Sequence, residues 1–513
     1  MVSVRTTLCS LLLIYIVDGN YEIATAASMK AFAAKVNDGA DYFEGKTVKL
    51  VADIDLNNEE WTPIGSAYKD HGFMGNFDGN GRVIKNLNIT NIALDTDGYA
   101  YAGLFGVTEG TDKDNQNYIK NLTIENVKIE TTGHIVAAAV AYPYYTVIEN
   151  VTVKGNVSIK GGDYTAGVLA YTRRCVNAKN LAILGGTIEG NKTVGGVISD
   201  IQVNGGLVAD YSNFKASGVS VKGDMSVGGI SGIIGGQTLN GATVENVNIV
   251  CDNVRTGIVA GSLGMESTIN SASCINVTGA SKFVGATFDA GKSSKVTVNG
   301  VVYEYNADGT ISSDGKICVS TADELVAALE AKQSVLFLND IKINPASMSN
   351  AYGATGINVK YGQTIDGNGY TLNIKGAGGT WDSGINTTGG LIKNLTVTGS
   401  FRGIFINHTS DYSEKVVLEN VTIGGNGTVY TISCDQGLYQ GIEATNCTFN
   451  GWTSFAKTAG EAKFVNCNFG EGSGYKYCRP YSNTEFVGCT FCPGFSVDTT
   501  RATVTFTDCT WME

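Results

Sequence analysis

The hexapeptide Ile119-Lys120-Asn121-Leu122-Thr123-Ile124 recurs along this chain, and that recurrence limits the fold more than any other feature. Close copies are Ile84-Lys85-Asn86-Leu87-Asn88-Ile89, Ile148-Glu149-Asn150-Val151-Thr152-Val153, Val244-Glu245-Asn246-Val247-Asn248-Ile249, Ile392-Lys393-Asn394-Leu395-Thr396-Val397 and Leu418-Glu419-Asn420-Val421-Thr422-Ile423. Ala178-Lys179-Asn180-Leu181-Ala182-Ile183 is a weaker echo. Counted between asparagines within each run, the steps are 35, 29, 30, 66 and 26, and Asn213 splits the longest into two of 33. Periods of roughly 20–50 residues mark repeat architectures. Apolar residues alternate with polar ones in each unit, the period of a strand with one buried face. The asparagine sits at a bend, where its side chain can bond the backbone and tolerate unusual φ/ψ. Stacked about 4.8 Å apart, these residues would form a ladder of side-chain amides. The expected fold is therefore all-β, a parallel β-helix or solenoid.

Composition agrees with many tight turns and excludes some partners. Of 513 residues, 66 are Gly and 5 are Pro, while apolar residues stay plentiful at 43%. That mix fits repeated turns rather than a disordered linker. The net charge of −12, with no basic run, excludes nucleic acid as a main partner. Residues 1–19 read as a signal peptide: Arg5 precedes an apolar run from Leu8 to Val17, too short to span a bilayer. Cys9 lacks a lipoprotein context, and no later stretch reads as a transmembrane segment.

Two stretches share one plan. In residues 20–95, Thr25 can cap a short helix whose apolar face is Met29, Phe32, Ala33 and Val36, and Gly39 suits its end. The strand Thr47–Val51, the Asp53-Ile54-Asp55-Leu56 segment and Phe77-Asp78-Gly79-Asn80-Gly81 follow. In residues 306–375, Thr321 and Glu324 form a capping box, Leu325, Ala328 and Leu329 face one way, and Ile365-Asp366-Gly367-Asn368-Gly369 answers residues 77–81. A helix closing the end of a β-coil covers apolar surface and unpaired backbone. Two caps imply two coils, at 96–305 and 376–513.

Residues 21–290 resemble GLUG-motif surface proteins of gut bacteria of the Bacteroides type. The resemblance rests on Tyr21-Glu22-Ile23-Ala24-Thr25, Asp53-Ile54-Asp55-Leu56, Trp61-Thr62-Pro63-Ile64-Gly65, Phe77-Asp78-Gly79-Asn80-Gly81 and Gly103-Leu104-Phe105-Gly106 followed by Ile119-Lys120-Asn121-Leu122, with later segments at 195–198, 228–232 and 257–261 matching the Gly-Leu-x-Gly half of the motif. It implies a right-handed parallel β-helix that is exported or surface-bound. It implies no single activity, because that family spans adhesin-like proteins and non-catalytic parts of surface enzymes.

In the first coil, Gly167, Gly195, Gly196, Gly228 and Gly229 are expected to serve positive φ and close backbone approach. Tyr99-Ala100-Tyr101 and Tyr142-Pro143-Tyr144-Tyr145 most simply cover rung edges, with sugar stacking as the rival role. In the second coil the steps shorten: Asn420, Asn446, Asn466, Gly488 and Asp508 take one place, each followed by Val421, Cys447, Cys467, Cys489 or Cys509. Free, buried, stacked thiols are expected, because side chains in parallel register rarely reach a disulfide torsion. The many Asn-x-Ser/Thr sequons are a by-product of the repeat.

For chemistry the sequence offers little. His71, His134 and His408 share no motif, and the aspartates of the cap modules read as turn-makers. A groove in the second coil gathers Trp381, Asp382, Arg402, Asp435, Tyr439 and Trp452. Trp381, Tyr439 and Trp452 can stack on a sugar, and Arg402 can pair with a uronate. Asp382 and Asp435 are the weak candidates for an acid/base pair. No metal or cofactor is expected. The leading expectation is a secreted or cell-surface adhesin that binds glycans or partner surfaces without catalysis. The alternatives are a β-helix polysaccharide lyase or glycoside hydrolase, and a phage tail-spike or fibre protein. Thr507 to Trp511 read as an uncapped rung, which points to an oligomer partner or a continuation.

Overall fold

The computed structural model describes residues 15–17, 20–66, 68, 72–92, 94–95, 98–172, 174, 177–202, 209–264, 266–287, 293–306, 308–343, 350–351, 354–374, 382–406, 415–434, 441–455 and 461–513. It is a parallel β-solenoid of about 14 turns. It divides into two compact units, residues 1–309 and 310–513.

The first unit opens with Tyr15–Val17 antiparallel to Asn20–Glu22; residues 1–14, 18 and 19 lie outside the described residues. Helix α1, Ala26–Asn37, starts where the Thr25 hydroxyl accepts from the Ser28 N–H, and it buries Met29, Phe32, Ala33 and Val36. Gly39, with φ of 69°, follows its end. The coil then repeats one long strand and two short ones per turn. The long strands Asn117–Glu130, Thr146–Lys160, Asn177–Glu189 and Asp210–Lys222 pair in parallel register.

Each long strand bends twice, through left-handed residues in two separate columns. One column holds Asn121, Asn150, Asn180, Asn213, Gly241 and Ser271; the other holds Asn126, Gly155, Gly185, Gly218, Asn246 and Asn276. The amides bond along each column. Asn121 Nδ2 donates to Asp78 Oδ1 (3.1 Å), Asn150 to Asn121 (2.9 Å), Asn180 to Asn150 (2.8 Å) and Asn213 to Asn180 (3.0 Å). In the other column Asn86 donates to Asp55 (2.8 Å) and Asn126 to Asn86 (3.2 Å). The repeated hexapeptide thus serves two bends. The step of 35 counted from Asn86 to Asn121 crosses columns; the rung step above Asn86 is 40 residues.

The short strands meet at glycine corners. A Cβ on Gly167, Gly196 or Gly229 would lie 2.3, 2.0 or 2.4 Å from a carbonyl oxygen of the next turn. None of Gly167, Gly195, Gly196, Gly228 and Gly229 has positive φ. Close approach alone demands them, which corrects half of the expectation. Tyr68, Tyr142, Tyr164 and Tyr171 pack over Tyr101, Val107, Ile135, Ala137, Ala141 and Ala170, so Tyr101 and Tyr142 do cover the rung edges, whereas Tyr99 is exposed.

The second unit opens near helix α2, Ala322–Glu330, which buries Leu325, Ala328 and Leu329. The Thr321 hydroxyl accepts from Glu324 N–H (3.2 Å), but the Glu324 carboxylate returns to Ser320 N–H (2.7 Å) and hydroxyl (2.8 Å), one residue earlier than a capping box requires. Three parallel sheets follow. The first runs from Lys316–Val319 to Val504–Thr507, the second from Ile341–Ile343 to Thr510–Trp511, and the third from Ala354–Val359 to Ser496–Val497. Between the first two, Asn394, Asn420, Asn446, Asn466, Gly488 and Asp508 share φ of 51–62°. Asn420 donates to Asn394 (3.0 Å) and Asn394 to Asp366 (3.1 Å). The core stacks Phe449, Phe469, Phe491 and Trp511 at 5.2, 5.0 and 4.6 Å. Cys447, Cys467 and Cys489 are free and buried beside it, as the column predicted, whereas Cys509 at the last rung is free but only half-buried.

Candidate functional site

The third sheet of the second unit brings together the arginine and one of the aromatics singled out in the sequence. Its register aligns Ser383, Arg402, Tyr430, Trp452, Tyr477 and Ser496 in one column. Asp382, the residue before Ser383, is 7% exposed, and Arg402 is 6% exposed. The Arg402 guanidinium donates to the Ser433 hydroxyl and lies 4.9 Å from the Tyr430 ring centre and 5.6 Å from that of Phe405. Trp381, Asp435 and Tyr439 lie outside the described residues. So do His71 and His408; His134 meets the Tyr99 ring edge-on at 5.5 Å.

Trp452 is the centre of a stack. Tyr430 lies on it at 4.7 Å and 20°, and Tyr475 at 5.6 Å and 26°. With both faces covered by near-parallel rings, the indole is not a bare sugar platform. The outer ring is Tyr475, 42% exposed, carried on the tight turn Gly472–Tyr475 whose Ser473 and Gly474 have φ of 50° and 80°. Arg479 adds a cation, its guanidinium 5.0 Å from the Trp452 ring and 5.3 Å from Tyr477. Stacked guanidinium groups keep their edge donors available for a carboxylate or sulfate. Two buried donors here, Trp452 Nε1 and Arg479 Nε, have no hydrogen-bond partner among the described residues, while the Arg479 guanidinium also bonds Tyr477 and Tyr481.

Asp498 closes the far end. Its carboxylate accepts from the Thr500 hydroxyl (2.5 Å) and N–H (2.9 Å), from Arg501 Nε (3.1 Å) and from the Tyr477 hydroxyl (3.3 Å). These donors, Thr500 foremost, hold its pKa down at about 2. Arg501 in turn lies 5.0 Å from the Tyr481 ring.

Sequence reasoning missed Tyr430, Tyr475, Tyr477, Arg479 and Asp498. The segment joining the second sheet to the third changes length from turn to turn. Asn450 leads to Trp452 at once, whereas Gly470 leads to Tyr477 through the Tyr475 turn. No fixed spacing therefore marks the aromatic column.

Comparison with known proteins places part of this unit. Residues 316–430 match a family model described as "Putative pectate lyase-like adhesive domain". No curated protein matches the chain. Among solved structures, the chain is similar to "a putative immunoglobulin A1 protease from Bacteroides ovatus", with TM-score 0.34 and 16% identity, over 55% of this chain and 78% of that one.

Proposed function

We propose that this chain is an exported or surface-displayed β-helix protein that binds glycans through the third sheet of its second unit, without catalysis. The carrying observation is the aromatic and guanidinium column: Arg402, Tyr430, Trp452 and Arg479 set stacked rings and two guanidinium groups beside an exposed Tyr475. That combination suits a sugar bearing a carboxylate or sulfate. The adhesive-domain match over residues 316–430 supports the same reading. The proposal carries the finer architecture with it: a right-handed coil, α1 and α2 as caps of two coils, residues 1–19 as an export signal, and kinship with GLUG-motif proteins.

A glycan array on the full chain tests it. We expect binding to acidic glycans, weakened about tenfold, or about 1.4 kcal/mol, by Arg479→Ala and by Tyr475→Ala, with no product released. Release of unsaturated or reducing sugar that vanishes in Asp382→Asn or Asp435→Asn would replace binding by lyase or hydrolase chemistry.

A further inference from the structure

The repeated unit carries a threonine two residues after its asparagine, as in Asn394 and Thr396, Asn420 and Thr422, Asn446 and Thr448. In the second unit these threonines fall into one register along the second sheet. Thr371, Thr396, Thr422, Thr448, Thr490 and Thr510 stack rung on rung, with Asn468 in the one other place. Their side chains are half-buried or exposed. The backbone N–H of Thr396, Thr422 and Thr448 is bonded to the preceding turns at 3.1, 2.9 and 2.8 Å. The threonine hydroxyls, in contrast, have no hydrogen-bond partner among the described residues.

The neighbouring column begins at the exposed Lys342 and then holds Asn373, Thr398, Gly424, Asn450 and Gly470, and Asp340 stands at the head of the threonine row. On its other flank runs the amide ladder, with a shallow cleft at Asn394, Thr396 and Asn420. The strands from Thr371–Ile374 to Thr510–Trp511 contain no ionisable side chain. The first sheet differs, with Lys463 bonded to Glu485 at 2.8 Å and Lys415 paired with Glu443. The third sheet differs too, with its arginines.

Threonine is β-branched and suits a half-buried strand position. That explains the residue type. It does not explain why the seven strands from Thr371 onward carry no charge, because the matching register in the first unit is broken as Thr123, Thr152, Ala182 and Lys215.

We propose that the threonine row is a second binding surface, separate from the aromatic column, for a neutral, extended polysaccharide lying along the coil axis. Each hydroxyl can donate and accept. The row offers one about every 4.8 Å, and an extended sugar chain presents its own hydroxyls at a comparable interval. A neutral chain on a neutral face leaves no charge stripped of water and unpaired.

Affinity electrophoresis of the full chain in gels holding soluble β-glucan, xylan or mannan tests this. We expect retardation by at least one of these probes, unchanged by added salt. Thr422→Val with Thr448→Val keeps shape and strand preference but removes two hydroxyls; it should weaken binding about tenfold with no loss of thermal stability. Thr422→Ser with Thr448→Ser keeps the hydroxyls and should bind within about threefold of the parent. Thr123→Val with Thr152→Val, the matching pair in the first unit, should leave binding unchanged. The proposal falls if none of the three probes retards the chain, if the second-unit valine pair binds as the parent does, or if the first-unit pair loses as much.

Discussion

The residues that hold this fold together are asparagines in a conformation most side chains avoid. Asn121, Asn150 and Asn180 have φ of 54–56° and bond one another in sequence. Alanine in the left-handed region costs roughly 1–2 kcal/mol, and a lost side-chain bond about 1 kcal/mol. Asn150→Ala should therefore destabilise by about 2 kcal/mol and Asn150→Gly by about half that, as read from urea midpoints; equal losses would show that the backbone conformation is not what the asparagine supplies. The aspartates head these ladders and make turns at once: Asp78 accepts from Asn80 N–H (2.8 Å) and from Asn121 (3.1 Å). Asp55, held down first by the Asn57 N–H and then by the Asn86 amide, has a lowered pKa. Asp498 sits lower still, at about 2. A depressed carboxyl stabilises the fold above its unfolded value of about 3.9 and loses that effect as pH falls through the folded one. Thermal melts should thus lose stability from about pH 4 toward about pH 2, and Asp498→Asn should remove part of that slope. The sequence shows the asparagine bend plainly. It hides that there are two bends, because one hexapeptide suits both and spacing alone cannot say which bend a copy occupies.

At the scale of elements, what was local was legible. The Thr25 cap and the apolar face of Met29, Phe32, Ala33 and Val36 follow from positions within one helix, and α1 buries those residues. The corners are also marked in the sequence, by paired glycines, but their reason is visible only in space. Gly196 would carry a Cβ 2.0 Å from the Gly229 oxygen, a contact with backbone that no rotamer relieves. Gly196→Ala should cost about 3 kcal/mol and lower the melting temperature, whereas Gly300→Ala, with open space around it and φ of 82°, should cost only the left-handed penalty of about 1 kcal/mol. Comparable melting temperatures for the two variants would remove close approach as the reason for the glycine column. The third sheet was the least legible element. Its strands are fed by segments of changing length, so Tyr430, Trp452 and Tyr477 align in space without any shared period in the chain.

For the whole molecule, periodicity carried the fold and left function to the faces. Each turn rests on its neighbours, so the recurrence of one bend was enough to imply a solenoid. What a face binds depends on which side chains project from it, and these sit between the repeated positions. The second unit shows three different answers on one coil: ion pairs on the first sheet, bare hydroxyls on the second, and stacked rings with guanidinium groups on the third.

The amide columns also have a polarity. Asn150, Asn180 and Asn213 each donate backwards, and the first donors end on the carboxylates of Asp78, Asp55 and Asp366. A coil growing from its amino end therefore always exposes oxygens at its advancing front, and one growing the other way exposes N–H groups. Unpaired oxygens are the cheaper loose ends. Winding should accordingly start at each seed carboxylate and proceed vectorially, in the order the ribosome releases the chain. Pulse-labelled hydrogen exchange during refolding should find Asn117–Glu130 protected before Thr268–Ile275, and the reverse order would refute a directional nucleus.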